Sequence, residues 1–217
     1  SGPGQALAAR IADVVFTAQN DLDEALAFYK TLKAQVAGFG RTPGEVLVMP
    51  GVMPVVGRTE TEAQATFAEL NRNIDTAQAF TVLSERLGMD MSGHPMDGPV
   101  PTPPATEHLK SRAALLMEMA RREKLTLRDL YYRVAAARGH LLLVGTPVMI
   151  ADTLQHWFEA GAADGFNVMP PFFPGQFDAF AHSVVPILQE RGLFRADYTG
   201  RTLRDHLGLA RPLRQLR

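Results

Sequence analysis

Ser1, Gly2 and Gly4 put a hydroxyl and permissive backbone directly ahead of a helical run. A serine side chain and the unpaired N–H groups of a first helical turn can hold an anion, favoured by the positive end of the helix dipole. Gly2 and Gly4 would let the backbone approach that anion closely. The same residues also read as an ordinary N-cap, and both readings stand. Met49, Met53, Phe166, Asn167 and Met169 fall in strand-like stretches near strand ends, where substrate pockets of parallel α/β folds form. Methionine adapts to irregular walls, although core packing is the default reading of such residues. His140, beside Arg138, could steady an anionic ligand or be a satisfied structural histidine, while His156 and Asp152 are spaced as a surface pair.

Other chemistries are excluded by spacing. Gly38-x-Gly40 lacks the third glycine of a dinucleotide loop and follows a helix, not a strand. Neither an H-E-x-x-H metal motif nor a G-x-S-x-G nucleophile elbow occurs, so no metal site is expected. The absence of cysteine rules out disulfides and thiolate chemistry within the chain and suits a cytoplasmic location.

The 217 residues are 46% hydrophobic and 21% charged, as in ordinary globular domains. With 22 basic against 23 acidic residues, the formal charge of −1 gives no footprint for nucleic acid. The longest apolar run, Leu141–Val144, is far short of the roughly 20 residues that span a bilayer, so no membrane association is expected. A start at Ser1 without Met is expected of a processed, tagged or partial chain.

The elements that must position these residues alternate between strand and helix, which implies parallel βαβ units. A helix with Leu7 and Ile11 on one face leads to a buried strand at Asp13–Thr17. Asp21 and Glu24 resemble a capping box for a helix with Leu22, Leu26, Tyr29, Leu32 or Lys33, and Val36 along one stripe. Val46–Val56 has strand character, but Pro50 and Pro54 predict that it runs into an irregular loop. Thr59 and Glu62 are read as the start of one long helix reaching Gly88, with Phe67, Leu70, Ile74, Ala77, Leu83 and Leu87 inward. Residues 89–107, with Pro95, Pro99, Pro101, Pro103 and Pro104, form either an ordered excursion or a mobile lid. Helices are expected near Leu109–Glu123 and Leu127–Arg138, the second capped by Thr126 with Asp129. Leu141–Val144 is extended, and Thr146-Pro147 starts a helix carrying Ile150, Leu154 and Phe158. A buried strand at Gly165–Met169 precedes a last helix over Gln176–Arg191, kinked at Pro186. The arginine-rich tail, 193–217, lies on the surface. The whole is a single partial domain, 1–217, with an insertion or lid at 89–138, too short for a (β/α)8 barrel of about 250 residues.

Six stretches, in order, resemble one family. They are Ser1–Gly4 with Leu7–Arg10 and Ala12–Thr17; Pro50–Thr59; Asp97–Pro99, where the family carries an insertion; Arg138–His140 leading to Val144–Pro147; Ala163–Asn167; and Thr202–Arg204 with His206–Leu209. Together they are similar to the C-terminal part of bacterial-luciferase-like flavin-dependent monooxygenases. Within these, the match is to the oxygenase components that include nitrilotriacetate and dibenzothiophene sulfone monooxygenases. The resemblance implies an α/β fold that is the C-terminal part of a (β/α)8 TIM barrel, incomplete in this chain. It implies reduced FMN as co-substrate, its phosphate at Ser1, Gly2 and Gly4, and most contacts to the flavin ring in the preceding part. Also implied are a partner NAD(P)H-dependent flavin reductase, O2, a small organic substrate and a homo-oligomer. The alternatives are a half-barrel that needs another chain, or a different phosphate-binding barrel enzyme.

Overall fold

The computed structural model describes residues 2–72, 75–102, 111–137 and 139–211. Ser1, Ile74, Pro103, Pro104, Glu107, Leu109, Arg138, Arg214 and Arg217, to which the sequence assigns roles, lie outside the described residues. The described chain is an α/β fold on a four-stranded parallel sheet. Strand β2 (Leu47–Val56) pairs with all the others: β1 (Val14–Thr17) along Leu47–Pro50, β3 (Leu141–Gly145) along Val52–Val56, and β4 (Asn167–Val168) at Gly51 and Val52.

The prolines do not break β2, contrary to the expectation of an irregular loop. Backbone groups of a strand alternate between its two edges. At Val48, Val52 and Val56 they meet Asp164, Met169 and the Gln176 side chain. Pro50 and Pro54 fall in the same alternation, so their missing N–H groups face that irregular edge and cost no regular ladder bond. The same edge explains why β4 shrinks to two residues where five were expected. β1 is not buried as predicted. Val15 packs inward, but Val14 and Phe16 stay exposed.

One face of the sheet is covered by α1 (Gly2–Ile11), α2 (Leu22–Gly38) and α7 (Pro147–Glu159). The last stretch, α8 (Gly175–Ala179), a π-helical turn at Phe180–Val184, and α9 (Val185–Glu190), joins them there. Pro186 lacks the N–H that a regular α-turn requires, and the widened turn before it absorbs the defect that the sequence reads as a kink. On α1 it is Ala9 that is buried, while Leu7 and Ile11 face outward, against expectation. On α7 Trp157 takes the inward place expected of Phe158. The other sheet face packs Met53, Val55, Leu142 and Val144 against Phe67 and Leu70 of α3 (Glu60–Arg72) and Ala137 of α6 (Leu127–Ala137).

The single long helix expected up to Gly88 is two, α3 and α4 (Thr76–Leu87), because Asp75 caps a fresh start by accepting from Ala77 N–H at 2.9 Å. Gly88 ends α4 in the left-handed region, φ 71°, as expected of a C-terminal glycine. Helices α4, α5 (Ser111–Glu123) and α6 enclose a separate core that includes Leu83, Leu116, Leu127 and Leu130. Met91 and Met96 of the proline-rich segment are buried in that core, and Arg128 holds Asp97 through two hydrogen bonds of 2.7 and 3.2 Å. Residues 89–102 are thus an ordered excursion. The tail folds back through α10 (Leu203–Leu207), where Arg204 pairs with Asp13 and Leu209 is buried.

Candidate functional site

Gly51, midway along β2, gathers half of the residues proposed for a pocket wall. Asn167 stands opposite Gly51 in register and donates its side-chain amide to the Met49 carbonyl at 3.0 Å. The His140 ring lies parallel to that of Phe16, with centroids 4.9 Å apart and planes within 3°, the geometry of an offset stack. A Cβ on Gly51 would lie 2.4 Å from His140 Nδ1 and 2.8 Å from the Phe16 ring, so glycine is the residue that lets the stack form. Phe16 nevertheless leaves 56% of its surface in solvent.

The other wall candidates are placed differently. Met53 packs under α3 and α6, and Phe166 packs on the opposite face with the α7 core. Met169 is held by its N–H donating to Val52 O at 2.8 Å. Both methionines of β2 lie within the strand, not at its end.

Gly2 and Gly4 sit in the exposed first turn of α1, with nothing within 4 Å of where a Gly2 Cβ would stand. First-turn N–H groups have no partner within their own helix. Ala8, Ala9 and Ala12 at the far end of α1 share a core with Leu32 and Val36 near the far end of α2, so the two helices run side by side in one direction. Because α2 begins just after β1 ends, the start of α1 and the Phe16 end of β1 lie at the same end of the fold. A helix N-terminus and an exposed ring at one end suit an anion joined to a planar group.

A cleft of about 120 Å³ opens beyond β1 between Asn20, Asp21 and Glu24 on one side and α5 and α6 on the other, with His140 in its wall. Arg122 spans it to Asp21 at 3.5 Å, and Arg133 holds Glu123 at 2.8 Å. Burial raises the Glu24 carboxyl above its ordinary range, Asp21 adds to the rise, and Arg122 opposes it. A wider space of about 470 Å³ lies beside α5 between Val100, Met117 and Leu125. Neither is lined by Met49, Asn167 or Gly2, and the first is smaller than the roughly 300 Å³ at which small-molecule pockets begin. Among the described residues no group of three or more His, Cys, Asp or Glu could hold a metal ion, and no helix is long and apolar enough to cross a membrane.

Sequence reasoning missed two polar anchors. Lys33, 9% exposed, reaches Asp164 at 2.8 Å, Pro43 O at 2.9 Å and Val46 O at 2.5 Å. Asp164 also accepts from Tyr29 at 2.8 Å and from Val48 N–H at 2.7 Å, and burial followed by that bond pushes the Tyr29 phenol upward. Gln176 clips the end of β2, accepting from Val56 N–H at 2.7 Å and donating to Val56 O at 3.0 Å. Lys33 on an apolar stripe is the one visible signal of the first anchor; Gln176 carries none.

Comparison with known proteins gives this geometry its context. The N-acetyl-S-(2-succino)cysteine monooxygenase of Bacillus subtilis (strain 168) is 48% identical over 98% of this chain and 49% of its own length. Nitrilotriacetate monooxygenase component A of Aminobacter aminovorans is 45% identical over 98% of this chain and 47% of its own. Among solved structures, the EDTA monooxygenase EmoA from Chelativorans sp. BNC1 superposes with a TM-score of 0.74 at 33% identity, covering 97% of this chain and 49% of that one. The chain therefore spans about half the length of these relatives. The model of the luciferase-like monooxygenase family matches residues 1–164, and the chain belongs to that family.

Proposed function

We propose that this chain is the C-terminal part of the (β/α)8 barrel of an oxygenase component, which uses reduced FMN and O2 to oxygenate a small organic substrate. The observation that carries this reading is the 48% identity, over nearly the whole chain, to a named monooxygenase. The name of the 45% identical relative, component A, supports a two-component system, in which an NAD(P)H-dependent flavin reductase supplies the reduced flavin. We further propose a cytoplasmic homo-oligomer.

When bound, reduced flavin supplies the electrons that activate O2 for transfer of one oxygen atom to the substrate. The chain's own residues bind and orient. The first-turn N–H groups of Gly2 and Gly4, with Ser1, receive the phosphate. Met49, His140 and Asn167 form part of the wall beside the reacting groups, while α5 and α6, which border the cleft at His140, help to keep water out.

An anaerobic titration of the chain with reduced FMN tests the reading. Saturable binding, weakened by Ser1→Ala, is expected; a folded chain that binds no reduced FMN overturns it for this polypeptide alone. A second reading, that the chain works only when paired with another, is favoured by exposed Leu7, Ile11 and Val14 along α1 and β1. It predicts binding only after association.

A further inference from the structure

We propose that the space of about 470 Å³ beside α5 is a ligand site in its own right, which takes a carboxylate carried on a short aliphatic chain. This goes beyond the flavin reading, since Gly2, Gly4, Met49, His140 and Asn167 are not among the residues that line the space. Its volume falls within the range of small-molecule pockets, roughly 300–1,000 Å³.

The walls select the body of the ligand. Val100 of the proline-rich run, Met117 and Ala120 of α5, and Leu125 just beyond it supply the apolar lining. No aromatic ring lies among the described lining residues, so nothing favours a planar ligand, and methionine adapts to a flexible chain. These walls are set without a ligand. Leu127 N–H donates to Gly98 O at 3.0 Å, Arg128 N–H donates to Met96 O at 2.8 Å, and Pro99 forms a bridge with Thr126. A site ordered in advance leaves little freedom to be lost on binding.

The rim selects the charge. Asp97, Arg121 and Lys124 are the charged residues among the described lining. Both Asp97 oxygens accept from Arg128, and Arg121 meets Glu118 at 3.7 Å, so one cation is left over. That cation is Lys124, whose ammonium has no ion-pair partner among the described residues. Lys124 is also the one non-glycine residue with positive φ among them, at 52°. It follows the end of α5, where glycine is the usual choice because a side chain in that conformation is strained. The carbonyls of Ala120 and Arg121 beside it already accept from the N–H groups of Leu125 and Lys124. A lysine kept in a strained turn, at the lip of an apolar hollow, is placed to meet an anion whose tail fills the hollow.

Calorimetric titration of the 217-residue chain with sodium octanoate tests this, with octylammonium and acetate as controls. Octanoate should bind saturably at one site. Octylammonium, of opposite charge, and acetate, without the tail, should not. Binding should shift the methyl carbon-13 signal of Met117, assigned through Met117→Leu, and leave that of Met53, packed under α3 and α6, in place. Lys124→Gly relieves the backbone strain, so the fold should survive, and circular dichroism checks that. It should weaken octanoate by about tenfold, the order expected for loss of one charge-assisted hydrogen bond, while Lys124→Arg should retain binding. Equal binding of octanoate and octylammonium, or equal binding by Lys124→Gly and the unaltered chain, would overturn the proposal. So would an unmoved Met117 signal, or a folded chain that takes up no octanoate. The flavin reading is tested separately, because none of its residues is altered here.

Discussion

Glu24 stands half-buried at the start of α2, one wall of the cleft, with Asp21 beside it and Arg122 opposite. Its carboxyl is raised above the ordinary range chiefly by burial, so folding favours the neutral form. The stabilising contribution is complete below the unfolded-state value and is lost as pH rises through the folded-state value. At neutral pH the charge is held at a cost. Glu24→Gln should therefore raise the Tm near neutral pH and lose that advantage at about pH 4, where the carboxyl is largely protonated in both states. Thermal melts at the two pH values check this; an equal effect at both would assign it to packing. Local chemistry of this kind was legible at several residues. Asp21, Thr126 and Thr146 cap the helices expected of them, since a cap needs only neighbours within one turn. The Phe16–His140 stack was not, because its partners are 124 residues apart and meet only through the sheet register.

At the scale of elements, β2 shows why proline statistics mislead. Whether a proline breaks a strand depends on which edge its nitrogen faces, and the sequence does not say which edge will be regular. The split between α3 and α4 had a signal in Asp75, hidden by an apolar period that runs across the break. The break changes the phase, so Ala79 is buried while Ala77 is exposed. The strand order was open to inference from βαβ alternation, but not the end of β2, where a glutamine side chain replaces a neighbouring strand. Gln176→Leu removes both bonds to Val56 and leaves a buried N–H without its acceptor. We expect a loss of about 1–3 kcal/mol, measured by urea unfolding, with Gln176→Glu failing to restore it because a carboxylate cannot donate to Val56 O. A loss well under that range would mean that α8 is held by its apolar contacts alone.

Across the whole molecule, the apolar interior is divided. The core under α4, α5 and α6 shares no residue with the cores on either face of the sheet. This helical unit meets the sheet through Ala137 of α6, which packs on Met53 and Val55, and through the Arg122–Asp21 pair, which at 60% and 32% side-chain exposure adds little. Past β4, Phe172, Phe173 and Phe177 form an exposed aromatic group, with Phe173 70% exposed. Composition alone gave no sight of either, because both depend on which faces meet.

The single tryptophan, Trp157, is buried in the sheet-side core, whereas the core under α4, α5 and α6 has tyrosine but no tryptophan. Intrinsic tryptophan emission thus reports on one cooperative unit and far-ultraviolet circular dichroism on both. In a urea series the two signals should lose their native values at different concentrations, the dichroism beginning to fall while the emission is unchanged if the smaller unit melts first. Superimposed curves would mean that the two interiors, though separate in space, stand or fall together. Until they are shown to coincide, a single free energy of unfolding from tryptophan emission describes the sheet and is silent about the helices that overhang it.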